Sequence, residues 1–149
     1  MGAAIETTRG ARRWACVLVM LAGTGALADP LIVQNDRGGA IGERVIAVRQ
    51  ANAQHRRIEL RGRICYSSCT LYLGADDLCI SAQTTFGFHG PSRHGRALPQ
   101  EEFEHWSQVM AAQYSAPLRD WFLKTARHRI NGYYRLTGAQ LIAMGYAAC

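Results

Sequence analysis

Residues 58–74 read IELRGRICYSSCTLYLG. In this stretch a predicted strand is followed directly by a predicted helix, and the prediction of the fold starts from it. Ile58, Leu60 and Ile64 alternate with polar residues, a pattern that predicts a strand. Residues 65–70 follow as a strand-to-helix junction with a serine available as helix N-cap. The apolar residues after them predict a short helix that ends at the glycine. A strand that runs directly into a helix is a building unit of α/β folds.

Apolar runs and turn residues on either side predict further strands and helices in alternation. Upstream, the pattern predicts a strand at 31–33, a turn at 35–39 and an amphipathic helix at 41–53. Downstream, it predicts strands at 78–80 and 84–88, a loop at 90–95, one helical pattern over 99–124 that Pro117 kinks or splits, and a Thr-capped helix over 136–145. This alternation predicts an α/β domain of βαβ units with a mostly parallel sheet.

The first 28 residues have the layout of a secretory signal peptide. Three arginines between residues 9 and 13 precede an apolar run at 14–22, and small residues follow as far as Ala28. The run is short for a membrane span. We therefore expect cleavage near Ala28 and a secreted or periplasmic domain at 29–149, with an uncleaved N-terminal anchor as the alternative.

The composition favours one globular domain without a nucleic-acid partner. The 149 residues are 48% hydrophobic, enough for a core, and carry a formal charge of +6. Removal of residues 1–28 takes away three arginines and one glutamate and leaves +4. The remaining arginines are scattered, and no module or interleaved aromatic residues typical of nucleic-acid binding accompany them. No other stretch is long and apolar enough to predict a membrane span.

The cysteines predict disulfide bonds. Cys16 leaves with the signal peptide, and Cys65, Cys69, Cys79 and Cys149 remain in the exported part. Four cysteines in an exported domain allow three pairings, and the sequence leaves the choice open. The paired short spacings of a zinc ribbon are missing, so the sequence predicts no metal site, and nothing in it points to a cofactor.

A serine, a histidine and a glycine turn are the candidates for chemistry. Ser67, with Ser68 as its rival, lies at a helix start, where the helix dipole and free N–H groups favour a nucleophile. His89 ends a predicted strand, and Gly38 lies in the turn after another strand. Serine activated by histidine is a general arrangement for acyl transfer. The alternative is structural: an N-capping serine and a surface histidine.

These segments resemble a known family. The turn NDRGG at 35–39, the CYSSC motif at 65–69 and FGFHGP at 86–91 resemble the proteolytic subunit of Clp protease and its crotonase-superfamily relatives, in particular exported Clp-protease-like proteins. The resemblance implies a shortened version of that α/β fold, which lacks the early strand–helix repeats. It also implies Ser67 as nucleophile, His89 as base, and the N–H groups of Gly38 and Ser68 as the oxyanion hole.

The sequence departs from this family at the third catalytic residue. No carboxylate falls where the family's aspartate is expected, so Asn131 and Asp120 are the candidates for a third member. Two functions follow as expectations. One is an exported serine hydrolase or peptidase that uses a Ser–His pair, and the other is an inactive domain that binds a peptide or a partner protein in the same groove. The aromatic residues of the long helical pattern add homo-oligomerisation as a further expectation.

Overall fold

The computed structural model describes residues 28–149, so nearly all of the predicted signal peptide lies outside the described residues. The strands are β1 (Leu31–Val33), β2 (Ile58–Leu60), β3 (Ile64–Tyr66), β4 (Leu78–Ile80), β5 (Thr85–Phe88), β6 (Ser92–Arg93), β7 (Arg96–Ala97) and β8 (Tyr134–Thr137). The helices are α1 (Ile41–Ala53), α2 (Gln100–Ala111), α3 (Ala116–Lys124) and α4 (Gly138–Ala143), with 3₁₀ segments at Ser67–Gly74 and Ala126–His128.

The strands form one parallel sheet, one mixed sheet and one hairpin. The parallel sheet has the order β1-β2-β4, and α1 connects its first two strands. The mixed sheet has the order β3-β5-β8, in which β5 is parallel to β3 and antiparallel to β8. The strands β6 and β7 pair as an antiparallel hairpin. The prediction of an α/β domain is confirmed, while the sheets are parallel in β1-β2-β4 and β3-β5 and antiparallel in β5-β8 and β6-β7.

Most predicted elements occur where the pattern places them, with three differences. The strand predicted through Ile64 is two strands, β2 and β3, which belong to different sheets. The predicted loop at 90–95 is part of the hairpin, and the start of the predicted last helix is strand β8. Pro117 lies in the first turn of α3, where its missing N–H costs no helical hydrogen bond. The long pattern is therefore split at residues 112–115, just before the proline.

The core lies between the sheets, α1, the 3₁₀ segment at 67–74 and the α2–α3 pair. Its largest fully buried apolar side chains come from all these parts: Val48, Ile58, Leu60, Leu71, Ile80, Phe86, Phe88, Leu118, Phe122 and Leu141. Burial of one such side chain contributes roughly 1.5–3 kcal/mol. Three of the strands that carry this core, β2, β4 and β5, have fully buried residues at most positions, as expected for strands covered on both faces.

Two disulfides settle the pairing that the sequence leaves open. Cys65 is bonded to Cys69, and Cys79 is bonded to Cys149. The second bond fixes residues 147–149 along β4, where the Ile80 N–H donates to the Ala147 carbonyl and the Cys149 N–H donates to the Ile80 carbonyl. The Cys79–Cys149 bond closes a loop of 70 residues. By lowering the entropy of the unfolded chain it contributes roughly 4 kcal/mol to the free energy of unfolding, against about 2 kcal/mol for the short Cys65–Cys69 loop.

A membrane-crossing helix is not found between residues 28 and 149, since none of the helices there is both long and apolar enough.

Candidate functional site

Ser67 and His89 are in hydrogen-bond contact. Ser67 follows β3 and His89 follows β5, and these two strands are parallel neighbours that pair Tyr66 with Gly87. Their carboxyl ends therefore meet at one edge of the mixed sheet, the position where sites form in α/β proteins. The Ser67 Oγ and His89 Nε2 atoms are 2.7 Å apart. This is the distance that proton transfer between a serine and a histidine base requires.

The backbone of Ser67 is held in the left-handed region. Its φ is +57°, directly after the extended residue Tyr66 and at the first position of the 3₁₀ segment. A non-glycine residue in this region costs about 1–2 kcal/mol, so its surroundings must fix it. The Cys65–Cys69 disulfide brackets Ser67 on both sides in the chain, and both cysteines are buried. The sharp turn presents the Ser67 side chain toward His89.

Gly38 lies against Ser67 and has a φ of +100°. A Cβ at Gly38 would be 2.6 Å from the Ser67 Cβ and 3.0 Å from its Oγ, so only glycine fits here. The Gly38 N–H donates to the Asp36 carboxylate at 2.7 Å, and Arg44 pairs with the other oxygen of Asp36 at 2.8 Å. The N–H predicted as an oxyanion donor is thus occupied by Asp36 in this arrangement. What Gly38 provides directly is space for Ser67.

Ser68 is buried next to the candidate nucleophile. It is 1% exposed, and its Oγ has no hydrogen-bond partner among residues 28–149. Burial makes Ser68 Oγ a poor rival to Ser67 as nucleophile. The Ser68 N–H lies in the first turn of the 3₁₀ segment, where N–H groups have no acceptor inside the helix. A substrate oxygen would reach this N–H through the partly exposed surroundings of Ser67.

His89 lies in a partly buried position that favours its neutral form. Burial lowers the pKa of His89 below its usual 6.5, and the backbone at Gly90 opposes this shift in part. The imidazole ring contacts Tyr133 edge to face at 5.4 Å, and Tyr133 stacks on Tyr66 at 4.7 Å. A neutral imidazole can accept the Ser67 proton at neutral pH, as a general base must.

The Nδ1 atom of His89 is buried and has no hydrogen-bond partner among residues 28–149. If Ser67 donates to Nε2, the ring proton must lie on Nδ1. An N–H left buried without an acceptor costs about 1–3 kcal/mol. In a complete triad a carboxylate accepts this bond and stabilises the imidazolium ion. In the described part of the chain no carboxylate takes this place beside His89, and the Gly90 backbone supplies a weaker hydrogen-bonding contribution that favours the imidazolium ion.

The two candidates for that third group occupy different places. Asn131 lines a cavity of about 260 Å³ together with His89, Ser92 and Tyr133. It makes no hydrogen bond with the unpartnered Nδ1. Asp120 lies on α3, where its side chain is 79% exposed and faces Arg119 at 3.9 Å. The structure thus brings Asn131 to the same cavity as His89 and does not bring Asp120 there.

A chain of cavities extends from His89 along the surface. Ser92 lines both the His89 cavity and a cavity of about 290 Å³ that reaches Gly39 and Ala40 at the start of α1. Gly39 and Ala40 also line a third cavity, together with Arg44 and Ala47 of α1. Neighbouring cavities thus share Ser92, Gly39 and Ala40 as lining residues, and Ser67 is not among the lining residues of these three cavities.

The sequence did not predict the roles of three residues of this site. Asp36 lies inside the recognised turn at 35–39, where an aspartate can accept from the N–H two residues on, but its ion pair with Arg44 from α1 has no local signal. Thr70 donates to the Ser67 carbonyl, and only its spacing of three residues hints at that bond. Tyr114 hydrogen-bonds Thr70 across 44 residues, and no local signal marks it.

Comparison of this chain with protein-family models, with curated proteins and with solved structures finds no match. The geometry of the site therefore carries the functional argument.

Proposed function

We propose that this protein is an exported serine hydrolase, a peptidase of the Clp-protease-like type, in which Ser67 is the nucleophile and His89 is its base. The observation that carries the proposal is the 2.7 Å contact between Ser67 Oγ and His89 Nε2. The left-handed backbone of Ser67 at a helix start and the neutral state that burial favours for His89 support it. The segments around Ser67 and His89 are also those that resemble the Clp protease and crotonase families.

The reaction would proceed by acyl transfer. Ser67 Oγ attacks the carbonyl carbon of a peptide or ester while its proton passes to His89 Nε2, and the carbonyl oxygen becomes an oxyanion. The Ser68 N–H stabilises this oxyanion. Collapse of the intermediate breaks the C–N or C–O bond, and the leaving group takes the proton from His89. Water then attacks the acyl carbon while its proton passes to His89, the bond between Ser67 Oγ and this carbon breaks, and His89 returns the proton to Ser67 as the acid leaves.

Export to an oxidising compartment is part of the proposal. Two disulfides are consistent with such a compartment, and the sequence of residues 1–28 has the layout of a signal peptide. The two neighbouring cavities that share Ser92, together called the groove, support a peptide or a protein segment as the substrate.

A second function is favoured by the unpartnered Nδ1 of His89. Without a carboxylate, the domain would bind a peptide or a partner protein in the same groove and leave it intact. Loss of the aspartate from a triad lowers the rate by about four orders of magnitude, so a slow enzyme and a binding domain differ in measurable reactivity.

The deciding experiment uses a fluorophosphonate probe on the oxidised domain 29–149, beside Ser67→Ala and His89→Ala. Ser81→Ala is a matched control, because Ser81 is also partly exposed but lies outside the site. We expect labelling of the wild type and Ser81→Ala, none of Ser67→Ala and a strong decrease for His89→Ala. A folded wild type that does not label, yet still binds peptides, would support the binding domain instead.

A further inference from the structure

A chain of two hydrogen bonds, one buried and one partly buried, ends on the carbonyl of Ser67. The Thr70 hydroxyl lies 2.8 Å from this carbonyl oxygen, and the Tyr114 hydroxyl lies 2.8 Å from Thr70 Oγ1. Thr70 is fully buried, and Tyr114 is 5% exposed. Polar groups at such depth are costly unless they are bonded, so these bonds fix the positions of all three partners.

The direction of both bonds follows from the number of protons. A carbonyl oxygen can only accept, so Thr70 must donate its single hydroxyl proton to Ser67. Thr70 then has only lone pairs for its second contact, and Tyr114 must be the donor there. Burial raises the pKa of the Tyr114 phenol, which keeps that donor protonated at neutral pH and well above it.

The Ser67 carbonyl and the Ser68 N–H belong to the same planar trans peptide unit. In such a unit the C=O and N–H bonds point in opposite directions. A carbonyl held toward Thr70 therefore directs the Ser68 N–H away from Thr70, out of the first turn of the 3₁₀ segment. That N–H is the oxyanion donor of the proposed reaction.

Tyr114 also contacts the strand that carries the base. It lies in the connection between α2 and α3, and its ring meets the Phe88 ring edge to face at 5.7 Å. Phe88 directly precedes His89 in the chain. A single side chain from the helical part of the fold thus packs beside the His89 segment and hydrogen-bonds toward the Ser67 segment.

We propose that Thr70 and Tyr114 are positioning residues that hold the peptide between Ser67 and Ser68 in the orientation needed to stabilise the oxyanion. This inference rests on the proposed hydrolase function. The two residues touch neither the substrate nor the reacting atoms. Thr70 and Tyr114 therefore help to stabilise the transition state, in which the oxyanion forms. They have little effect on the binding of the substrate in its ground state.

The test compares inactivation by a fluorophosphonate in the oxidised domain 29–149, with the maximal inactivation rate and the half-saturating concentration measured separately. Thr70→Val removes the donor to Ser67 while keeping the shape of the side chain. Tyr114→Phe removes only the phenol, and Thr70→Ser restores the hydroxyl. Tyr146→Phe is the matched control, because the Tyr146 hydroxyl accepts from the neighbouring Ser115 N–H but takes no part in the chain.

We expect Thr70→Val to lower the maximal rate by about 10- to 100-fold and Tyr114→Phe by about 3- to 10-fold, since a misdirected donor costs less than a deleted one. The half-saturating concentration should change by less than about twofold, which separates loss of transition-state stabilisation from loss of binding. Thr70→Ser and Tyr146→Phe should react within about twofold of the wild type.

The outcomes separate the two proposals. A wild type that does not react overturns the proposed hydrolase, and the positioning role falls with it. A reactive wild type whose Tyr114→Phe variant has an unchanged maximal rate overturns the positioning role alone. The same holds if Tyr146→Phe is as slow as Tyr114→Phe. If Thr70→Val does not fold, Tyr114→Phe and Thr70→Ser still decide the question, because they keep the packing of the core.

Discussion

Gly38 lies so close to Ser67 that a single added methyl group would collide with the serine side chain, 2.6 Å from its Cβ. The contact joins the turn after β1 to the end of β3. It makes the position of the candidate nucleophile depend on a residue that has no side chain.

We predict that Gly38→Ala abolishes reactivity at Ser67. The new Cβ must displace Ser67, and alanine is strained at the φ of +100° found here. The free energy of unfolding should fall by about 1–3 kcal/mol. Fluorophosphonate labelling and urea denaturation measure the two effects. Gly42→Ala in α1 is the control: its Cβ would be 3.9 Å from Trp106, and alanine in a helix should stabilise slightly. Full labelling of a folded Gly38→Ala would contradict the prediction.

The pH dependence of labelling should follow His89. Because burial lowers its pKa, the labelling rate should remain high at neutral pH and fall with a midpoint below 6.5. The cationic form is disfavoured in the folded state, so the unfolded state binds more protons between the two pKa values. The free energy of unfolding should therefore decrease as the pH falls below 6.5. The stability part of this dependence should be absent in His89→Ala, and a midpoint above 6.5 would count against a buried neutral base.

The two disulfides should differ in their main effect: Cys65–Cys69 on the reactivity of Ser67, and Cys79–Cys149 on the stability of the fold. Replacing both Cys65 and Cys69 by alanine frees the backbone around Ser67, so labelling should fall strongly while chain entropy predicts a loss of only about 2 kcal/mol. Replacing Cys79 and Cys149 should cost roughly 4 kcal/mol yet leave the labelling rate of the folded protein within about twofold. Thermal unfolding and labelling of both double variants check this pattern. Equal losses of labelling would show that neither bond acts locally on Ser67.

A carboxylate at position 131 should change the titration of His89 without completing a triad. Asn131 shares a cavity with His89, so Asn131→Asp adds a negative charge that favours the imidazolium ion and raises the midpoint of the labelling profile. The Nδ1 atom is buried without a bond to residue 131, so the rate at neutral pH should increase by less than about tenfold, far below the effect of a true third member.

Asp120→Asn serves as the control for this prediction. The Asp120 side chain is 79% exposed, so the pH profile should not change. A loss of reactivity in Asp120→Asn would place that residue in the site after all.

The sequence allows prediction of Ser67 and His89 because both follow strands with clear apolar patterns. Parallel strands bring their carboxyl ends to one edge, so both side chains are expected at an edge of this kind. That β3 and β5 are direct neighbours is a tertiary feature, which the local pattern does not show. The sites of the helices α1 and α3 follow in the same way from periodicity and from Pro117. Local pattern was sufficient wherever a residue's role depends on its own strand or helix.

Other features depend on contacts that are remote in the chain. Strand β8 alternates partly buried and exposed residues and runs straight into a capped helix. Its antiparallel pairing with β5 could therefore not be predicted from the sequence. The ion pair of Asp36 requires Arg44 from α1, and the hydroxyl chain to Ser67 requires Tyr114. The pairing of the cysteines is a matter of tertiary structure and could not be deduced from their spacing.

The attachment of residues 147–149 along β4 has a consequence for the order of folding. A ribosome delivers β4 long before Cys149, so this edge of the parallel sheet stays uncovered until the chain through Cys149 has emerged. During that interval Cys79 has only Cys65 and Cys69 as partners among residues 28–148. The native Cys79–Cys149 bond must therefore form late, and a catalyst of thiol exchange would shorten the time during which this strand edge is open to other chains.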